Sequence, residues 1–156
     1  MSVMGALMFV TKLALSVLPN IHLNALFVIL GGCFFGARVF FMIGVYILLE
    51  GAVFGFGLWW LSYLYIWPIL GAAVLLCGNS RSPLVWAVIA ALHGLFFGAL
   101  CAIPYLFLGG AKAAFAYWIS GIPFDLAHCA GNFTVTLILY RPLYGVLEKL
   151  LARSGT

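Results

Sequence analysis

Apolar residues gather along this chain into six stretches, set apart by glycines, prolines and a few charged positions. The stretches cover residues 3–18, 23–35, 39–56, 64–77, 84–106 and 122–140, and each predicts a helix. Several are shorter than the roughly 20 residues that a perpendicular membrane-spanning helix needs. Their ends must therefore be covered by neighbours or open into a cavity. Residues 113–140 are too long for one span, and Ile119-Ser120-Gly121-Ile122-Pro123 divides them. Pro123 would pre-set the first turn of the last helix. That leaves residues 113–118 as an outer loop or half-helix. Residues 141–156 form a tail in which 143–152, with Glu148 and Lys149, read as a short helix lying at the membrane interface. With no linker, low-complexity tract or repeat, the expectation is an all-α integral membrane protein, a six-helix transmembrane bundle forming one domain.

Composition strengthens this reading. Of 156 residues, 67% are hydrophobic and only 6% are charged. A soluble domain of this size cannot hide so much apolar surface, whereas a bilayer requires an apolar perimeter. The first stretch lacks the marks of a signal peptide, because Lys12 lies inside the apolar run and Pro19-Asn20-Ile21-His22 is no small-residue cleavage site. The formal charge of +4 is too thinly spread to point to nucleic acid. It is informative about topology instead. With six spans and a cytoplasmic N-terminus, Arg38, Arg81, Arg141, Lys149 and Arg153 all lie inside, as the positive-inside rule favours. Both termini are then cytoplasmic. The outward loops would be 19–24, 57–63 and 107–118, which hold most of the aromatic and hydrogen-bonding variety.

Candidate chemistry follows from the few polar residues within the apolar stretches. At about 100° per residue, Gly121, Asp125, His128 and Asn132 share one helix face about 60° wide. An Asp in mid-membrane costs roughly 2.5–3.5 kcal/mol, so this stripe faces the bundle interior. It either caps and glues helices or contributes to a solute site. Glu50 is the acid of the third stretch, with Tyr46 one turn away and Gly51 and Gly55 spaced for close helix approach. It either meets a solute or pairs with Lys12 or His93. His93 itself reads best as an interhelical hydrogen-bonder. The run from Gly55 to Pro68 carries Trp59, Trp60, Tyr63 and Trp67, and it is either an interfacial aromatic belt or a wall for a planar ligand. Cys33, Cys77, Cys101 and Cys129 are dispersed, one per apolar stretch, which indicates packing rather than a metal site or disulfides. HExxH, GxSxG and P-loop motifs are absent, so neither catalysis nor ATP binding is expected of this chain.

Three segments carry a resemblance to a known family: Leu18-Pro19-Asn20, Glu50-Gly51 leading into Phe56-Gly57-Leu58-Trp59-Trp60, and Gly121-Ile122-Pro123-Phe124-Asp125-Leu126-Ala127-His128-Cys129-Ala130-Gly131-Asn132-Phe133 followed by Tyr140-Arg141-Pro142-Leu143. With these the chain resembles the substrate-binding S component of energy-coupling factor (ECF) vitamin transporters. The resemblance implies a subunit of a bacterial inner or plasma membrane that captures a water-soluble vitamin or related nutrient from outside. It also implies a transmembrane coupling subunit and two cytoplasmic ATPases as partners, docked on a small-residue stripe of the first helix. Ser2, Ala6, Val10 and Ala14 are the nearest equivalent here, with Val10 departing from the pattern. In this reading Glu50 accepts hydrogen bonds from the solute or pairs with it. Trp59, Trp60, Tyr63 and Trp118 stack or close over it, and His22, Asp125, His128 and Asn132 add polar contacts. The acids and aromatics favour a cationic or amino-heterocyclic solute such as thiamin or its pyrimidine precursor, with no cofactor or metal. A structural or assembly protein and an autonomous permease are the alternatives.

Overall fold

A computed structural model describes residues 1–17, 22–78 and 80–154. Leu18, Pro19 and Asn20 of the first resemblance segment and outward loop lie outside the described residues, as do the last two residues of the tail. The described chain is all-helical: α1 (Ser2–Ala14), α2 (Asn24–Phe35), a 3-10 turn (Gly36–Arg38), α3 (Val39–Phe54), α4 (Leu58–Cys77), α5 (Pro83–Leu95), α6 (Phe97–Cys101) and α7 (Ile103–Ser154). Three helical stretches among the described residues, Asn24–Phe54, Leu58–Cys77 and Ile103–Arg153, are long and apolar enough to cross a membrane. Helices α1 and α5 are shorter and also apolar.

The bundle is built around α2. Its Ala25, Leu26, Val28, Ile29 and Leu30 are each at most 1% exposed. A helix covered on all sides has no need of an amphipathic pattern, which is why α2 is apolar all round. Small residues set the closest approaches. A Cβ added to Gly5 of α1 would stand 2.7 Å from the Met42 carbonyl oxygen and 2.9 Å from the Val45 Cβ of α3. On α5, Ala87, Ala90, Ala91 and Gly94 are buried, and a Cβ at Gly94 would meet the His128 carbonyl oxygen of α7 at 2.8 Å. Glycine and alanine at these positions let the backbones touch, the usual way of joining helices where water supplies no drive. Gly5→Ala is therefore expected to destabilise the bundle by about 1–3 kcal/mol through overpacking of α1 on α3. A lowered midpoint in detergent-titrated unfolding would register this; an unchanged midpoint would contradict the contact.

Polarity is distributed inside out. Asn24, Glu50, Ser62, His93, Asp125, Asn132 and Thr136 are buried, whereas Val3, Phe41, Leu48, Leu76, Phe107, Phe124 and Ile138 are exposed. Soluble folds avoid that arrangement because it exposes oil and strands polar groups. It is compatible with a protein that sits in a membrane.

Two expectations from the sequence are corrected. Residues 57–63 are not a loop: only Gly55, Phe56 and Gly57 leave the helix, and α4 begins at Leu58. Gly55 adopts φ 88, ψ 161, a conformation that L side chains rarely reach, so the reversal from α3 to α4 is completed within a few residues. The second correction concerns the chain's C-terminal third. The helix does not divide at Ser120–Pro123, residues 113–118 are neither loop nor separate half-helix, and 143–152 do not form a separate helix. The helix of α7 is broken at Gly110 alone (φ 74, ψ −174), with Pro123 and Pro142 inside it. A proline removes one backbone hydrogen bond and bends a helix without having to end it. A glycine in a region closed to other residues does interrupt it.

Candidate functional site

Trp67 in the middle of α4 is 1% exposed and forms the hub of a ring cluster. Tyr63 precedes it by four residues, so both rings lie on one face of α4. Tyr46 from α3 meets Trp67 edge-on with ring centroids 5.4 Å apart, and Tyr63 meets it edge-on at 5.9 Å. On the other side His93 of α5 lies at 5.5 Å, Phe97 of α6 at 6.1 Å and His22, just before α2, at 6.2 Å. His128 of α7 closes the ring, 5.3 Å from His22 and 5.1 Å from Phe97. Five helices and the residue His22 before α2 thus place aromatic or imidazole groups around one tryptophan.

Glu50 joins this cluster on its α3 side. It is fully buried, and its Oε2 accepts a hydrogen bond from Lys12 Nζ of α1 at 2.5 Å. The same ammonium stands 5.5 Å over the Tyr63 ring and 5.6 Å over Phe54. Of the two partners the sequence offers Glu50, Lys12 is the one found. His93 instead directs Nε2 to the Ile66 carbonyl of α4 at 3.2 Å, an interhelical hydrogen bond. Asn24 Nδ2 donates to the Tyr46 hydroxyl at 2.8 Å, and Asn132 Nδ2 donates to the Ala90 carbonyl at 3.2 Å.

The polar atoms left over are more telling. Among the described residues, Trp67 Nε1, His22 Nδ1, His93 Nδ1, His128 Nδ1, Asn24 Oδ1, Asn132 Oδ1, Thr136 Oγ1 and Asp125 Oδ2 are buried without a hydrogen bond, and Glu50 Oε1 has the Tyr46 hydroxyl nearby. Each such group costs about 1–3 kcal/mol if nothing satisfies it, and most proteins carry few. Those of Trp67, His22, His93 and His128 belong to the ring cluster, and unpaired polar atoms among apolar rings are what a site for a polar solute requires. Burial, and next to it His128 and Lys12, pushes the His22 imidazole down to about 3, so it is neutral and offers one donor and one acceptor. No family model, curated protein or solved structure matches this chain.

The residues singled out from the sequence divide by position. Glu50, Tyr63, His22 and His128 belong to the cluster, and Trp59 reaches its rim, edge-on to Tyr63 at 5.3 Å. Asn132 follows His128 by one turn. Trp60 has its N–H committed to the Ile47 carbonyl at 2.9 Å and packs on Phe56, so it braces α4 against α3. The Asp125 carboxylate lies over Gly98, whose N–H it accepts at 2.8 Å. It lines a groove of about 270 Å³ with Phe97, Tyr117, Ser120, Phe124 and His128. Phe97 and His128 are common to groove and cluster, which makes the two adjacent. Trp118 lies elsewhere, packed on Phe115 in an apolar groove with Ala99, Ile103 and Leu106. Ser2, Val10 and Ala14 are exposed and Ala6 is half-buried, on the side of α1 away from Gly5 and its contact with α3.

Three members were not anticipated in these roles. Trp67 is legible once residues 57–63 are taken as helix, because Tyr63 and Trp67 then stand one turn apart. Thr136 extends the Asp125–His128–Asn132 stripe by one turn and is fully buried. Phe97 follows a break in the helix at Phe96 that the apolar run 84–106 conceals.

Proposed function

We propose that this chain is the membrane-embedded solute-binding subunit of an ECF-type ATP-dependent importer, capturing a small water-soluble vitamin or related nutrient from outside. The observation that carries the proposal is the set of unpaired polar atoms around Trp67. A solute entering this cluster exchanges its hydrogen bonds to water for hydrogen bonds to groups that otherwise have none, while the rings supply stacking area. In this reading α1, α2, α3, α4, the broken segment from α5 to Gly109 and the remainder of α7 are the six spans of an S-component bundle. Both termini are cytoplasmic. The stripe of Ser2, Ala6, Val10 and Ala14 receives the coupling subunit, which works with two cytoplasmic ATPases. The sequence of 121–133 supports the same assignment.

Mass spectrometry of the protein purified from its native membrane tests this reading. It is expected to find a small molecule at near-stoichiometric level. Glu50→Gln and Trp59→Ala should each weaken its binding about tenfold, equivalent to about 1.4 kcal/mol. If neither changes affinity, the site is elsewhere. The Lys12–Glu50 pair favours a second reading, because it holds α1 to α3 with no solute involved. That reading, a structural or assembly protein, predicts no saturable ligand at all.

A further inference from the structure

We infer that the solute is an uncharged, planar heterocycle that presents N–H or amino donors, an inference that rests on the binding function proposed above. Charge balance gives the first part. Lys12 and Glu50 neutralise each other at 2.5 Å, so the carboxylate offers no net charge to a cation. A cationic solute would have to displace Lys12 from a buried acid. An anionic one would meet oxygen lone pairs at Glu50 and Asn132. Asp125, the other buried acid, is turned to the Gly98 N–H and the groove beyond it.

The donor inventory gives the second part. Asn132 must direct its nitrogen to the Ala90 carbonyl, which only accepts, so the unpaired Oδ1 is an acceptor. His93 Nε2 likewise donates to the Ile66 carbonyl, which leaves Nδ1 of the neutral ring as a lone pair. Glu50 has the Tyr46 hydroxyl beside it as a donor and adds no free acceptor. Against the two acceptors stands one fixed donor, Trp67 Nε1. A complementary solute therefore brings about two donors and one acceptor. Flatness follows from the walls, because ring faces and edges favour an aromatic partner.

Nicotinamide, 1-methylnicotinamide and nicotinate share one ring and differ in charge: neutral, cationic and anionic. Binding to the intact protein in lipid nanodiscs is read by quenching of tryptophan fluorescence. Nicotinamide is expected to saturate the signal, with both charged compounds at least tenfold weaker. Lys12→Met should move the ratio at least tenfold toward the cation, and Glu50→Gln should move it toward the anion; where one variant does not fold, the other serves. A charged compound that binds wild-type protein as well as nicotinamide overturns the inference and leaves the binding function standing. Any solute carried through purification decides in the same way by its own charge at neutral pH. Absence of both a carried solute and saturation by any of the three compounds removes the binding function and this inference together.

Discussion

Lys12→Met lowers the stability of the fold by about 3–5 kcal/mol, the usual cost of leaving a buried charge without its partner. Glu50 is fully buried and Lys12 is its ion-pair partner, and the ammonium also caps the Tyr63 and Phe54 rings. Glu50→Gln costs less, because the Lys12 side chain is 27% exposed and can turn its ammonium away. The two substitutions together should recover most of the loss, since an amide in place of the acid no longer demands a cation. Unfolding midpoints of the wild type, both single variants and the double variant close a double-mutant cycle. Independent, additive effects would show that the pair contributes nothing to the fold.

Trp67→Ala is the second large effect, at about 3–5 kcal/mol, and it should also abolish solute retention. Removing the indole opens a void bounded by Tyr46, Tyr63, His22, His93 and Phe97, from four helices and the segment before α2. No single neighbour can fill it by changing rotamer. Trp67→Phe separates packing from chemistry. It keeps an aromatic ring at a cost of about 1.5 kcal/mol or less but deletes the N–H. Stability should be nearly retained while affinity for the retained solute falls about tenfold. Equal retention of solute by Trp67→Phe would show that the indole N–H is not a binding group.

The sequence conveys helices well and their ends poorly, for identifiable reasons. Apolar runs bounded by Gly36 and Gly78 end where they should, because a glycine at positive φ stops a helix mechanically, and Gly55 by the same means ends α3 at Phe54, two residues before the run 39–56 does. The segment 119–123 reads like a break because serine, glycine and proline break helices in water. On an apolar exterior, where Ile119, Ile122 and Phe124 are exposed, leaving the helix would free several backbone groups whereas one proline frees one, and the helix continues. The polar stripe of α7 is legible because helical periodicity survives regardless of helix ends. Glu50 is legible as special, and its partner Lys12 as one of two candidates. Trp67 as the hub is not, because an aromatic run shows no face until its helix is known. Nor could periodicity place Trp118 away from the cluster, since that depends on how the break at Gly110 directs the chain.

The prolines of α7 bear on how the site can move. His128, Asn132 and Thr136 all lie between Pro123 and Pro142. Each proline frees the carbonyl four residues before it, at Ile119 and at Ile138, and bending a helix is cheapest at such points. The span bearing the stripe is therefore an articulated rod, soft at both joints and stiff between them. Displacement of either end tips the three polar side chains as one unit, keeping their mutual spacing while changing their distance from Trp67.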